Sequence, residues 1–134
     1  MANIKDIEGI GPAYAEKLKP AGITTVSALL KKGAAPQDRR NLEAATGISH
    51  ELLLKWINHA DLMRVKGVGP EYAELLEASG VDSLPELAQR NAENLHPKMM
   101  ACNAEKKLVR RPPSLKQVKD WIKQANHLPR TITY

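Results

Sequence analysis

The chain has 134 residues, 43% of them hydrophobic, enough for one compact domain or two small ones sharing an interface. With no Phe, three Tyr and two Trp it lacks the row of rings that single-strand binding by base stacking needs, and the single Cys102 excludes an internal disulfide. The formal charge of +5 is uneven: residues 1–97 carry 11 Lys/Arg against 13 Asp/Glu, residues 98–134 carry nine against two. Such a basic end attracts polyanions, the alternative being a solvated surface that only keeps the protein soluble. No run approaches the roughly 20 apolar residues of a membrane span. Met1-Ala2-Asn3-Ile4-Lys5 also lacks the apolar core of a signal peptide, so the expected location is the cytoplasm.

In chain order, the first element follows Ile7-Glu8-Gly9-Ile10-Gly11, where Pro12 suits the first turn of a helix because its missing N–H is not needed there. Pro20 should end that helix early, and Gly22 sits where a left-handed C-terminal cap is expected. Thr25 can cap a short helix containing Val26, Leu29 and Leu30. Ser49 can cap a longer one that places Leu53, Trp56, Ile57 and Ala60 on one face. That helix leads almost directly into Leu62-Met63-Arg64, where the pattern starts again.

A shift of 58 aligns residues 7–30 with 65–88, and nine of those 24 pairs are identical. Among them are Gly9/Gly67, Gly11/Gly69, Pro12/Pro70, Tyr14/Tyr72 and Gly22/Gly80. Ser83 takes the capping role of Thr25. Further on the register becomes 65, matching Ser49 with Ser114, Trp56-Ile57 with Trp121-Ile122 and Ala60 with Ala125. The second copy therefore gains seven residues, within a region that holds Lys106-Lys107-Leu108-Val109-Arg110-Arg111-Pro112-Pro113. In its last helix Leu115, Val118, Ile122 and Ala125 form the apolar stripe with Trp121 beside it, and Lys116, Lys119 and Lys123 lie on other faces. No segment alternates with period two, so no sheet is expected.

The repeated core, Ile7-Glu8-Gly9-Ile10-Gly11-Pro12 and Val65-Lys66-Gly67-Val68-Gly69-Pro70, resembles the helix-hairpin-helix motif of DNA repair, ligase, polymerase and recombination proteins. Over nearly the whole chain, including Leu42-Glu43-Ala44-Ala45-Thr46-Gly47-Ile48-Ser49 and the tail from Leu128, the sequence resembles an uncharacterised bacterial family of duplicated helix-hairpin-helix proteins. That family is a domain of unknown function, sometimes likened to the helical DNA-binding element of flap endonucleases. The resemblance implies an all-α fold of two tandem helix-hairpin-helix units, SAM-like helical bundles, at 1–62 and 63–134. The second carries a basic insertion at about 98–113, and the short linker implies that the two pack as one body.

The glycines have a physical logic of their own. Flanking one apolar residue, they let the chain reverse between helices and expose backbone N–H groups at a helix start, where the macrodipole favours an anion. A DNA phosphate suits that place, and such a contact positions a protein without reading sequence. The candidate nucleic-acid contacts are Gly9, Gly11, Lys66, Gly67 and Gly69, with Lys106, Lys107, Arg110, Arg111, Lys116, Lys119 and Lys123 around the insertion. Alternatively the glycines only make tight turns between packed helices, and Arg110 and Arg111 pair with acidic faces of the first unit. DNA-binding hairpins of this kind often carry Lys or Arg just after the proline, whereas Ala13 and Glu71 stand there, with Glu8, Glu16 and Glu74 nearby.

No catalytic constellation appears, and the expectation is a binding protein without enzymatic activity or cofactor. His50, His59, His96 and His127 show no ligand spacing with Cys102, so no metal is expected, and Cys102 reads as a small buried hydrophobe. Trp56 and Trp121 read as core anchors, and Met99-Met100 as filler around the insertion. The expected function is sequence-independent duplex DNA binding. The alternatives are a helical protein-interaction adaptor with structural hairpins, or an accessory subunit of a nucleic-acid enzyme; oligomeric state stays open.

Overall fold

The computed structural model describes residues 2–134. Eight α-helices run along them: α1 (Pro12–Leu18), α2 (Val26–Lys32), α3 (Pro36–Thr46), α4 (His50–Leu62), α5 (Pro70–Ala78), α6 (Leu84–Gln89), α7 (Ala92–Lys106) and α8 (Leu115–His127). No strand occurs among the described residues, where one isolated bridge joins Asn3 to Thr25. The start and stop signals work as their chemistry requires. Pro12 and Pro70 occupy the first turns of α1 and α5, and the Thr25, Ser83 and Ser114 side chains accept from the amides of Ala28, Glu86 and Gln117. Pro20 ends α1 at Leu18, and the chain continues as a 3-10 turn over Lys19–Ala21, whereas α5 runs on to Ala78.

The helices sort into two compact units, one holding the residues up to Asp61 together with Arg130–Tyr134, the other Leu62–Pro129. In the first, Trp56 is fully buried, as are Leu18, Leu29 and Leu53, and Ile7 and Ile10 are nearly so. Its least expected core member is Arg39 of α3, only 1% exposed. The guanidinium donates to the carbonyls of Gly33 at 2.8 Å, Ala34 at 3.1 Å and Thr133 at 2.7 Å. Burial pulls its pKa below the ordinary arginine value while Tyr134 and Asp38 oppose that, and a guanidinium stays charged throughout. A buried charge must be paired or hydrogen-bonded, so the tail that brings the third carbonyl is held here. Thr133 donates its amide to Ala34 O at 2.8 Å, Ile132 is buried, and the Tyr134 hydroxyl bonds Asn58 Oδ1 at 2.7 Å. Residues 130–134, left with the second unit by the sequence division, thus pack in the first.

The second unit has a continuous core from Leu62 through Val68, Leu75, Leu76, Leu87, Leu95, Met99 and Trp121 to Ala125. α8 buries Val118, Trp121 and Ala125, so Trp121 lies within its apolar stripe, flanked by half-buried Leu115 and Ile122. The methionine pair divides: Met99 is fully buried, Met100 is 41% exposed. Cys102 is partly buried against the same core.

Candidate functional site

Each unit opens on the same turn. Ile10 donates its amide to Ile7 O at 3.1 Å, and Val68 to Val65 O at 3.0 Å. The third residues of these turns, Gly9 and Gly67, have φ of +93° and +99°, the type II geometry that favours glycine. A tryptophan adds a second reason. A Cβ built on Gly9 would lie 3.3 Å from Trp56 Nε1, and one on Gly67 3.0 Å from Trp121 Nε1. Tyr14 packs edge-on to Trp56 with centroids 5.0 Å apart, and Tyr72 packs on Trp121 at 5.2 Å. These two glycines serve the fold.

Gly11 and Gly69 are different. Their backbones are extended, with φ of −89° and −95°, open to any residue, and nothing lies within 4 Å of an added Cβ. Both are N-caps without a side-chain hydrogen bond, whereas Asn3, Thr25, Ser83, Asn91 and Ser114 cap their helices through side chains. The first-turn amides of α1 and α5 are therefore uncapped, beside open space. Neither backbone angle nor packing calls for glycine there.

In the second unit the turn is braced from α8. Gln124 accepts from Lys66 N at 2.8 Å and donates to Lys66 O at 3.1 Å, while the Lys66 side chain stays exposed. The basic segment begins where α7 ends. Lys106 is its last residue, and Lys107 takes the left-handed cap conformation at φ 51°, alone among the described non-glycine residues. Buried Asn103 then brackets Val109, donating to its carbonyl at 3.1 Å and accepting from its amide at 2.9 Å. A ring nitrogen of His96 meets Pro113 O at 2.9 Å, and the Tyr72 hydroxyl donates to Arg111 O at 2.7 Å. The loop of residues 107–113 is thereby fastened to both α5 and α7, with Lys106, Lys107, Arg110 and Arg111 exposed.

On α8, Lys116, Lys119 and Lys123 fall at spacings of three and four on the face opposite the buried one, and all are exposed. Lys119 is engaged by Glu93 of α7 at 3.2 Å. The Glu93 carboxyl is held below its ordinary range, first by its own helix-start amide and then by Lys119. Ten of the twelve candidate contacts lie in the second unit, while Gly9 and Gly11 lie in the first. Sequence reasoning missed Tyr72, His96, Asn103 and Gln124, which hold the loop and the turn in place. The only trace of them in the sequence is the retention of Tyr14 as Tyr72, which marks the ring but not its hydroxyl's partner.

Among the described residues there is no cluster of three or more His, Cys, Asp or Glu side chains suited to a metal ion, and no helix is long and apolar enough to cross a membrane. The chain belongs to the family described as a domain of unknown function (DUF4332), which matches residues 8–128 and so takes in the glycines of both turns and the basic loop. No curated protein and no solved structure matches it.

Proposed function

We propose that each unit is a helix-hairpin-helix module and that the second binds duplex DNA through its phosphates without reading sequence. The observation that carries this reading is Gly69. Its lack of a side chain leaves bare amides at the start of the nine-residue α5 with room for an anion to approach. Exposed Lys66, Lys106, Lys107, Arg110 and Arg111 in the same unit supply the charge that such binding needs, and Lys116 and Lys123 extend it along α8. Gly11 repeats the geometry, but α1 has seven residues, Glu8 stands where the second turn has Lys66, and the first unit has no basic loop, so the first hairpin is the weaker contact. Such a site positions the protein on a backbone and leaves base identity unread.

Gly69→Ser tests the reading without harming the fold, because serine suits both the extended angle and the cap. Stability should hold or rise by about 0.3 kcal/mol. Fluorescence anisotropy on a 20-base-pair duplex should nonetheless show weaker binding as the side chain fills the phosphate's place. Replacing Lys106, Lys107, Arg110 and Arg111 together by Ala should flatten the dependence of log K on log salt by about three units. Wild-type protein that binds no duplex at low salt would remove DNA as the ligand. The reading that then takes over is a helical protein-interaction adaptor, favoured by exposed Glu71 in the first turn of α5.

A further inference from the structure

We propose that Tyr72 is a positioning residue: its hydroxyl fixes the basic loop 107–113 against the second glycine turn, so that loop cations and turn amides engage one phosphate backbone as a preformed surface. This rests on the DNA-binding reading above and adds a residue and a preference for a rigid partner.

A chain of contacts carries it. Trp121 lies under Gly67, Tyr72 packs on Trp121 at 5.2 Å, and the Tyr72 hydroxyl reaches Arg111 O at 2.7 Å. Tyr72 is the third residue of α5, about one helical turn from Gly69. The other two fasteners, Asn103 on Val109 and His96 on Pro113, both come from α7. Tyr72 is the one of the three that ties the loop to the helix beginning at the glycine turn. Without its hydroxyl the loop stays attached to α7 but loses its register against α5.

The first unit is an internal control. There the same relay runs from Gly9 through Trp56 to Tyr14, whose ring carries Lys17 Nζ at 5.8 Å from its centroid, and the copy has no insertion for the tyrosine to hold. Lys107 adds an independent sign that the loop's shape serves its charges. It keeps a long cation at a left-handed position where glycine would be relaxed. A loop already in place loses little freedom on binding, whereas a loose one must be ordered at the cost of affinity. The difference should be largest for a duplex, whose phosphate spacing is fixed, and smallest for a flexible single strand.

The test is anisotropy on a 20-base-pair duplex and on a single-stranded 20-mer, using wild type, Tyr72→Phe, Tyr14→Phe, Arg110→Ala/Arg111→Ala, and that double variant combined with Tyr72→Phe. Circular dichroism checks folding. Tyr72→Phe should weaken duplex binding roughly fivefold, the value of one neutral hydrogen bond. It should change single-strand binding by less than about twofold, and Tyr14→Phe should match wild type. In the arginine-free background Tyr72→Phe should have a clearly smaller effect, because only Lys107 is then left in the loop for it to position. Wild-type duplex binding left untouched by Tyr72→Phe, or weakened equally with and without the arginines, overturns the positioning role and leaves the DNA reading standing. Absence of wild-type duplex binding overturns both.

Discussion

At residues 7–10 and 65–68 the chain makes the same turn over the same kind of ring, and an added Cβ would meet the indole nitrogen at 3.3 Å in one and 3.0 Å in the other. Beyond the turn the two units part. In the second, α7 packs along α5 and Leu75 is fully buried. In the first, the counterpart of Leu75 is exposed Lys17, and α3 meets the preceding elements around Lys19–Ala21. A groove of about 440 Å³ stays open there beside Lys17, Pro20 and Thr46. The first unit secures α3 with a buried arginine, the second secures α7 with Leu95 and Met99. Duplication has kept the residues that make the turn and let the surface around it diverge.

The sharpest way to break the comparison is at its least symmetric point. Arg39→Ala leaves the Gly33, Ala34 and Thr133 carbonyls without their shared donor and should cost about 3 kcal/mol. No residue of α7 should show a polar effect of that size, and denaturant melts of both sets of variants would reveal it if one did. Next come the first glycines. Gly67→Ala and Gly9→Ala, strained by angle and by tryptophan, should each lose about 2 kcal/mol, Gly67 slightly more because its ring lies nearer. Gly11→Ser and Gly69→Ser should be neutral or better, so equal losses at first and second glycines would erase the division of labour between them. The smallest effect is acidic. The Glu93 carboxyl is depressed in the folded state, so its contribution is present above the ordinary value of 4.5 and fades as pH falls through the lowered one. Glu93→Gln should therefore flatten acid unfolding slightly in that window, and an unchanged acid limb would show that the Lys119 pair is idle.

Much of the scaffold was legible because its signals are local. Proline in a first turn, serine or threonine at a cap, and paired tryptophans need only a few neighbouring residues to be read. The third helix of each unit was hidden, because polar residues stand in its buried face: Arg39 beside Leu42 in α3, Asn103 below Leu95 and Met99 in α7, with Pro97 inside the helix as well. Their burial depends on carbonyls brought from elsewhere, in one case from 94 residues away. The candidate site was legible as composition, a basic insertion near a repeated Gly-x-Gly. Its geometry was not, because the first glycine of each pair is fixed by a ring some 50 residues downstream and the second by nothing inside the protein.

The return of residues 130–134 to the first unit has a kinetic consequence. The second unit is one continuous stretch, whereas the first is closed by a segment that follows the whole of the second in sequence. Closing the first unit is thus a long-range step that the second unit does not need. Until the tail arrives, the Arg39 guanidinium lacks its third carbonyl and the site of Ile132 stands open. A nascent or clipped chain ending before the tail should carry a sound second unit beside a loosened first one, and the slowest folding step should belong to that long-range closure.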